Sequence, residues 1–304
     1  MDRQSKIILI SGPTASGKSN FAVKLSQKVN GEIINADSMQ VYKQLNILTA
    51  RPKKKDQKNI KHHLYGYINF NKRFSTGHWL KEAINKIKEI KKRNKIPILV
   101  GGTGLYFYSL INGLVKIPNI PIKIRNNIRL LQKKYGQKKF YKKLLKLDPK
   151  VKNRFDPNDV QRSIRAFEIK THTKVSMYDW LNKTKSSFNE NEFVKFYIDF
   201  DRKDLIKRIE KRTNQMFKNG ALKEVKKFNK LKVKKDHTIN KVIGINEIKK
   251  YLNKEITLDN AKELITIKTR QYAKRQSTWA KGKMSTWTNI EPHKISSEIK
   301  KINI

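Results

Sequence analysis

The sequence predicts an α/β fold, a parallel sheet covered by helices and interrupted by an all-helical insertion. Three observations carry this. Apolar strand-like runs alternate with amphipathic helical stretches up to residue 115. A glycine-rich loop stands between the first run and the first helix. From Lys116 the apolar spacing becomes wholly helical, and an alternating strand pattern returns only at Glu192. Strand–helix alternation is the signature of a sheet wound with crossover helices. The expected organisation is a discontinuous core, 1–115 plus 192–304, with the insertion at 116–191.

Each element follows from its residues. Lys6–Ile10 is a continuous apolar strand, and Phe21, Leu25 and Val29 then recur at helical spacing. Glu32–Asn35 reads as a second strand and Leu64–Ile68 as another. Ser75–Asn94 is a helix with Trp79, Ala83, Ile84, Ile87 and Ile90 on one face and Ser75 as its cap. Ile96–Val100 is a buried strand that stops at Gly101–Gly102. Pro118 and Pro121 break the chain at the start of the insertion, where Ile128, Leu131, Phe140, Leu144 and Leu147 keep helical spacing. After the strand at Glu192–Phe200, three or four helices and a short tail are expected.

Composition narrows the function. The 304 residues contain 70 Lys and Arg against 25 Asp and Glu, a formal charge of +45. Between Lys116 and Phe155 there are 14 basic residues and one acidic residue, Asp148. Clustered cations release counterions from phosphates, so nucleic acid is the first candidate partner. Lys, Ile and Asn are abundant throughout, as an AT-biased coding sequence would write, and this accounts for much of the lysine. No Cys is present, which excludes disulfides, a thiolate nucleophile and cysteine-ligated zinc. His62 and His63 have no neighbouring carboxylate–histidine set to complete a metal site. Apolar runs are too short to span a bilayer, and polar Met1–Lys6 does not open a signal peptide. A cytoplasmic protein is expected.

Gly12, Pro13, Thr14, Ala15, Ser16, Gly17, Lys18 and Ser19 fit G-x-x-x-x-G-K-[ST] between strand and helix. Such a loop turns its backbone amides around an anion. Lys18 reaches oxygens of adjacent phosphates, and Ser19 offers a hydroxyl to Mg²⁺. The motif names phosphates but not their owner. No apolar strand ends in the Asp that usually secures Mg²⁺ in a kinase. Asp37 follows the second strand, where the carboxyl ends of parallel strands share one crevice. It could ligate Mg²⁺, act as a general base, or cap the following turn.

Eight stretches together carry a strong resemblance. They are GPTASGKS at Gly12–Ser19, NADSMQVYK at Asn35–Lys43, TARP at Thr49–Pro52, HHL at His62–Leu64, VGGTGLY at Val100–Tyr106, PNDVQRSIRAFEI at Pro157–Ile169, IGINE at Ile243–Glu247 and TRQYAKRQSTW at Thr269–Trp279. In this order they resemble the tRNA dimethylallyltransferases, the tRNA isopentenyltransferase family. The resemblance runs almost end to end. It implies a P-loop NTPase-like core with a helical insertion that contacts tRNA. It also implies transfer of a dimethylallyl group from dimethylallyl diphosphate to N6 of adenosine-37, 3′ of the anticodon, with release of diphosphate.

The resemblance assigns residues. Asp37 matches the catalytic base, Thr103 a position near the transferred group, and Arg212 an active-site arginine. Arg208 lies four residues before Arg212 on one helix face, so both can meet one anion. The loop Gly12–Ser19 would hold the diphosphate, with Mg²⁺ at Ser19. Contacts to tRNA are implied at Asp37, Ser38, Met39, Gln40 and Thr103, at Arg125, and at Gln161, Arg162, Ser163, Ile164 and Arg165. Gln40 has the chemistry for a bidentate adenine contact, and Tyr42, Tyr106 and Tyr108 could stack on bases or pack in the core. Gln271, Lys274, Arg275 and Thr278 fall on one helical stripe suited to RNA. A monomer is expected.

Departures from the family are small. Ser19 stands where Thr is frequent, Lys61 where a proline often precedes the His pair, and the zinc-finger extension of eukaryotic relatives is missing. Competing readings are a small-molecule kinase, an enzyme that prenylates a free adenine nucleotide, and an RNA-binding protein with a relict loop.

Overall fold

The computed structural model describes residues 6–72, 74–182, 184–234 and 236–302. The first five residues of the polar N-terminal stretch lie outside these. The described chain divides into two compact units, Met1–Ile111 with Phe188–Ile304, and Asn112–Ser187.

The first unit is built on a six-stranded, fully parallel sheet of order β3-β2-β4-β1-β5-β6. The strands are β1 (Ile7–Ser11), β2 (Gly31–Asn35), β3 (His62–His63), β4 (Ile96–Gly101), β5 (Phe193–Ile198) and β6 (Thr288–Ile290). β1, β2 and β4 are buried along their whole length, as strands covered on both faces must be. Successive β1 side chains point to opposite faces. Ile7 and Leu9 join Trp79, Ile87 and Phe107 from helices α2 (Thr76–Lys92) and α3 (Gly104–Asn112). Ile8 and Ile10 join Phe21 and Leu25 of α1 (Lys18–Val29) and Ile295 of α11 (Ile295–Lys301). Burying one such side chain contributes about 2 kcal/mol. Ser75 caps α2, accepting from the His78 amide.

One acidic residue sits inside this apolar sheet. Glu32 is 1 % exposed, and its Oε2 lies 2.7 Å from both His63 Nε2 and Arg93 Nη2. Burial alone would raise its pKa, but hydrogen bonds from Arg93 and His63 hold it well below the ordinary carboxylate range. The histidine pair is thereby spent on structure: His62 Nδ1 also meets the Ile60 carbonyl at 2.9 Å.

The expected strand at Leu64–Ile68 is corrected. Leu64 adopts a left-handed φ of 62°, which ends β3 after two residues, and Ile68 makes only an isolated bridge to Tyr42. The tail also holds more than expected, since β6 and α11 add a strand and a helix.

Between β5 and β6 run α7 (Arg202–Lys218), α8 (Ala221–Asn229), α9 (Ile245–Leu252) and α10 (Leu258–Lys283). Their apolar faces pack with Val41, Leu45 and Leu48 from the chain after β2. Glu224 of α8 fixes that chain by accepting three backbone N–H groups, from Asn46, Ile47 and Leu48.

The second unit contains α4 (Ile122–Leu147), α5 (Val160–Thr173) and α6 (Met177–Leu181) around Tyr141, Leu144, Val151, Phe155 and Ala166. Gly136 breaks α4 with φ 68° and ψ 167°. The unit's limits, 112 and 187, fall four residues before the expected 116 and 191, and its two ends lie together: a Cβ on Gly113 would come 2.3 Å from the Lys185 carbonyl.

Candidate active site

The site lies where β1, β2 and β4 end on the same edge of the sheet. β1 leads into the phosphate loop, which reaches α1 through Ala15 (φ 66°) and Gly17 (φ 91°). Left-handed backbone costs a non-glycine residue about 1 kcal/mol, so Ala15 is held by its surroundings. Three side chains do this. Arg208 Nε donates to the Ala15 carbonyl at 2.8 Å, and Arg212 Nη1 donates to Thr14 Oγ1 at 3.0 Å. Gln276 Oε1 accepts from the Thr14 amide at 2.8 Å. Inside the loop, the buried Ser16 hydroxyl has no hydrogen-bond partner among the described residues. An orphaned donor in an amide-lined loop suits an anion's oxygen.

Lys18, Ser19, Asp37, Arg208 and Arg212 line one cavity of about 220 Å³ beside the loop. Burial pulls the Lys18 ammonium down to about 8, with Asp37 opposing and Arg212 reinforcing the shift. Arg212 is lowered by burial too, again opposed by Asp37. Three cations facing one carboxylate leave a positive surplus that a polyanion would neutralise. Both shifts express the cost of burying these charges.

Asp37 is fixed from behind by Asn35, which is fully buried. Asn35 Oδ1 accepts from the Asp37 amide at 2.9 Å, and Asn35 Nδ2 donates to the Asp37 carbonyl at 3.0 Å. Trp79 Nε1 donates to the Asn35 carbonyl at 2.8 Å. The capping alternative for Asp37 is partly realised, since its Oδ1 accepts from the Met39 amide at 2.9 Å. That turn occupies one oxygen. Asp37 also lines a second cavity of about 340 Å³, walled by Met39, Leu48, Val242, Ile243 and Ile265. The carboxylate and Arg212 border both cavities, one cationic and one largely apolar.

Thr103 closes the arrangement from the end of β4. Its Oγ1 accepts the Ser38 amide at 3.0 Å and donates to Ser38 Oγ at 3.3 Å. Burial raises the Tyr272 pKa and Asp37 raises it further. Close approach requires glycine here: a Cβ on Gly101 would stand 2.0 Å from the Ala36 carbonyl oxygen, and one on Gly104 would meet the Trp279 ring at 2.3 Å.

The structure thus brings together Lys18, Ser19, Asp37, Thr103, Arg208 and Arg212. Other expectations change. Gln40 borders the cavity, but its Nε2 donates to the Thr49 carbonyl at 2.9 Å, so a bidentate adenine contact would first have to break that bond. Tyr42 and Tyr106 are buried, Tyr106 stacked on Trp79 at 4.1 Å, and neither is open to a base; Tyr108 is exposed. The stripe on α10 divides. Gln271, Lys274 and Thr278 border a groove beside α7, whereas Arg275 turns to the site with Tyr272.

Within the insertion, Arg125, Arg129 and Arg165 converge on the buried Glu168 carboxylate at 3.3–3.9 Å. Gln161 and Arg162 are exposed, with Arg162 near Asp159. Ile164 is half-buried. Ser163 is corrected: it is fully buried and its hydroxyl accepts from Gln137 Nε2 at 2.9 Å, because α5 turns that residue into the unit's core.

Sequence reasoning missed Asn35, Tyr272 and Gln276 as site residues. Their signal was membership of the NADSMQVYK and TRQYAKRQSTW stretches, with Tyr272 and Gln276 one helical turn apart.

A family model described as IPP transferase matches residues 40–283. The chain belongs to the IPP transferase family. It is 68 % identical over 302 residues to a tRNA dimethylallyltransferase of Pelagibacter ubique, covering 99 % of this chain and 96 % of that one. It is 42 % identical to a tRNA dimethylallyltransferase of Rickettsia massiliae, covering 95 % and 80 %. Among solved structures, it resembles a tRNA isopentenylpyrophosphate transferase of Bacillus halodurans at 32 % identity, covering 97 % and 95 %, with a TM-score of 0.69. It also resembles a eukaryotic dimethylallyltransferase acting on tRNA at 31 % identity, covering 90 % and 69 %, with a TM-score of 0.79. Family membership carries with it an enzyme, a transferase with a parallel sheet and a helical insertion. Among the described residues, no helix is long and apolar enough to cross a membrane.

Proposed function

We propose that this protein transfers the dimethylallyl group of dimethylallyl diphosphate to N6 of adenosine-37 in tRNA. The observation that carries this is Asp37 standing between the cationic phosphate cavity and the largely apolar cavity. The first suits a diphosphate and the second a five-carbon chain and a planar base. Relatives named tRNA dimethylallyltransferase, similar along nearly the whole chain, support the same substrates.

The exocyclic amine of adenine is a poor nucleophile because its lone pair is delocalised into the ring. In this reading Asp37 accepts the N6 proton as the N6–C1 bond forms. The C1–O bond breaks with its electron pair leaving on diphosphate. Loop amides, Lys18, Arg208 and Arg212 meet the growing charge. Thr103 holds the Ser38 amide and thereby the turn that presents Asp37. The target base must leave the anticodon-loop stack to reach Asp37.

A magnesium ion fits the donors present. Ser19 offers a hard hydroxyl oxygen on the cavity, and Mg²⁺ is usually held by one or two protein oxygens together with substrate phosphates. Among the described residues no group of three or more His, Asp or Glu could hold a metal unaided, so substrate phosphates would complete the site. When bound, the ion supplies Lewis-acid neutralisation of the leaving group.

Exposed Gln161 and Arg162 of the insertion, and Gln271, Lys274 and Arg275 of α10, would contact the RNA, with Arg125 and Arg165 adding only what charge their pairing with Glu168 leaves. Phosphate contacts would supply affinity and loop bases the specificity. As in the sequence reading, a monomer is proposed, and tRNA as substrate suits a cytoplasmic enzyme.

The test is a nucleoside assay by mass spectrometry. Protein, unmodified tRNA, Mg²⁺ and dimethylallyl diphosphate should yield an adenosine heavier by one five-carbon unit, and ATP in place of the isoprenoid should yield none. Absence of modified nucleoside across several tRNAs with adenosine-37 would reject the reading.

A further inference from the structure

Gln276 does not border the cationic cavity, yet it touches the loop that shapes it. Its Oε1 accepts from the Thr14 amide at 2.8 Å, and its Nε2 donates to the Gly102 carbonyl at 2.8 Å. Both atoms of one amide are used, on two loops more than 80 residues apart in sequence. Thr14 opens the bend of the phosphate loop. Gly102 precedes Thr103, whose hydroxyl holds the Ser38 amide next to Asp37.

The space for this amide is built in. A Cβ on Gly102 would stand 2.1 Å from Gln276 Nε2, so only glycine at 102 lets the side chain pass. The helix therefore holds the Gly102 turn and the phosphate loop through the two ends of one amide.

We propose that Gln276 is a positioning residue that sets the distance between the phosphate loop and the Asp37 turn. A neutral amide is the side chain for this task. It offers one acceptor to an N–H and one donor to a carbonyl, whereas a carboxylate would face the Gly102 carbonyl with like charge. Misplacement by about 1 Å in such a site costs roughly 100-fold in rate. The loop carries unfavourable backbone at Ala15, so it will relax when the clamp is removed.

The proposal rests on the prenyl-transfer reading only for its turnover arm. The substitution is Gln276→Met, which keeps length and deletes both hydrogen bonds. Inorganic pyrophosphate is titrated calorimetrically into the protein without tRNA, and tRNA affinity is measured separately by filter binding. Gln276→Met should weaken pyrophosphate roughly 10-fold and lower kcat roughly 10- to 100-fold. Its tRNA Kd should stay within about twofold. Pyrophosphate affinity within twofold of wild type overturns the proposal, as does an equal loss for tRNA, which would make Gln276 an RNA contact. Should Gln276→Met not fold, Gly102→Ala displaces the same amide from the other side and must show the same split; pyrophosphate affinity equal to wild type there overturns it as well. A wild-type protein that binds pyrophosphate but transfers no prenyl group would count against the function and leave the clamp standing.

Discussion

The sheet-bearing unit and the insertion both gather arginines, and their partners set them apart. In the sheet-bearing unit Arg208 and Arg212 reach neutral oxygens of the phosphate loop and leave positive charge facing a cavity. In the insertion Arg125, Arg129 and Arg165 converge on Glu168, which neutralises part of their charge and ties α4 to α5. The lesson concerns reading charge. A count of cations measures attraction to polyanions, but the buried carboxylate nearby decides whether a given arginine is committed to the fold or left for a ligand.

The largest effect that tests this contrast is at the single carboxylate of the cationic cavity. Asp37→Asn keeps an oxygen for the Met39 amide and removes the base. It should lower kcat by about 10²- to 10⁴-fold with tRNA Kd nearly unchanged, and a kcat within tenfold of wild type would sink the assignment of Asp37. Next comes Glu168→Gln, which leaves three arginines without their charge partner. It should destabilise the protein by about 2 kcal/mol, seen as a lower urea midpoint. An unchanged midpoint would mean that these arginines are free for RNA.

A smaller effect follows from Lys18. Its pKa in the free protein is about 8 against an ordinary 10.5. Lys18 is therefore charged below pH 8 and loses its proton as pH rises through that value. Pyrophosphate affinity should fall above pH 8, with proton uptake on binding there, because the anion restores the charge. The unfolded chain holds this proton up to 10.5, so Lys18 makes the free protein gain stability between pH 8 and 10.5. Titrations in buffers of different ionisation enthalpy measure the proton count, and none taken up at pH 9 would contradict the shift. The smallest effect concerns exposed Arg162. Arg162→Ala should weaken tRNA binding a few-fold and reduce the slope of log K against log salt by about 1. An unaltered slope would place Arg162 outside the RNA interface.

Much of the fold was legible because buried parallel strands write themselves as unbroken apolar runs, as at Ile7–Ile10 and Ile96–Val100. Leu64–Ile68 misled for the same reason. It is apolar enough for a strand, but Leu64 is left-handed, a backbone state with no hydropathy signature. β6 is three residues long, too short for any period. At the site, Lys18 and Ser19 were legible in the loop motif and Asp37 in its place after β2, whereas Arg212 was expected from the resemblance; all four line one cavity. Residues that act through hydrogen bonds to distant backbone were not legible. Asn35 reaches Leu64, Gln276 reaches Thr14, and Glu224 reaches Asn46, across separations that no local pattern encodes. Ser163 failed in the opposite way, since its motif points to RNA while helical phase turns it inward.

The crowded end of β4 has a consequence for how this chain can drift. A composition rich in Lys, Asn and Ile is what an AT-biased coding sequence would write, and glycine codons begin with two G bases. A single change there writes a residue with a side chain. At Gly101 and Gly104 the added atom would meet the Ala36 backbone or the Trp279 ring, neither of which is the free end of a flexible side chain. The tide that filled the surface with lysine therefore stops at this turn, and the active site keeps two of its positions by exclusion of volume.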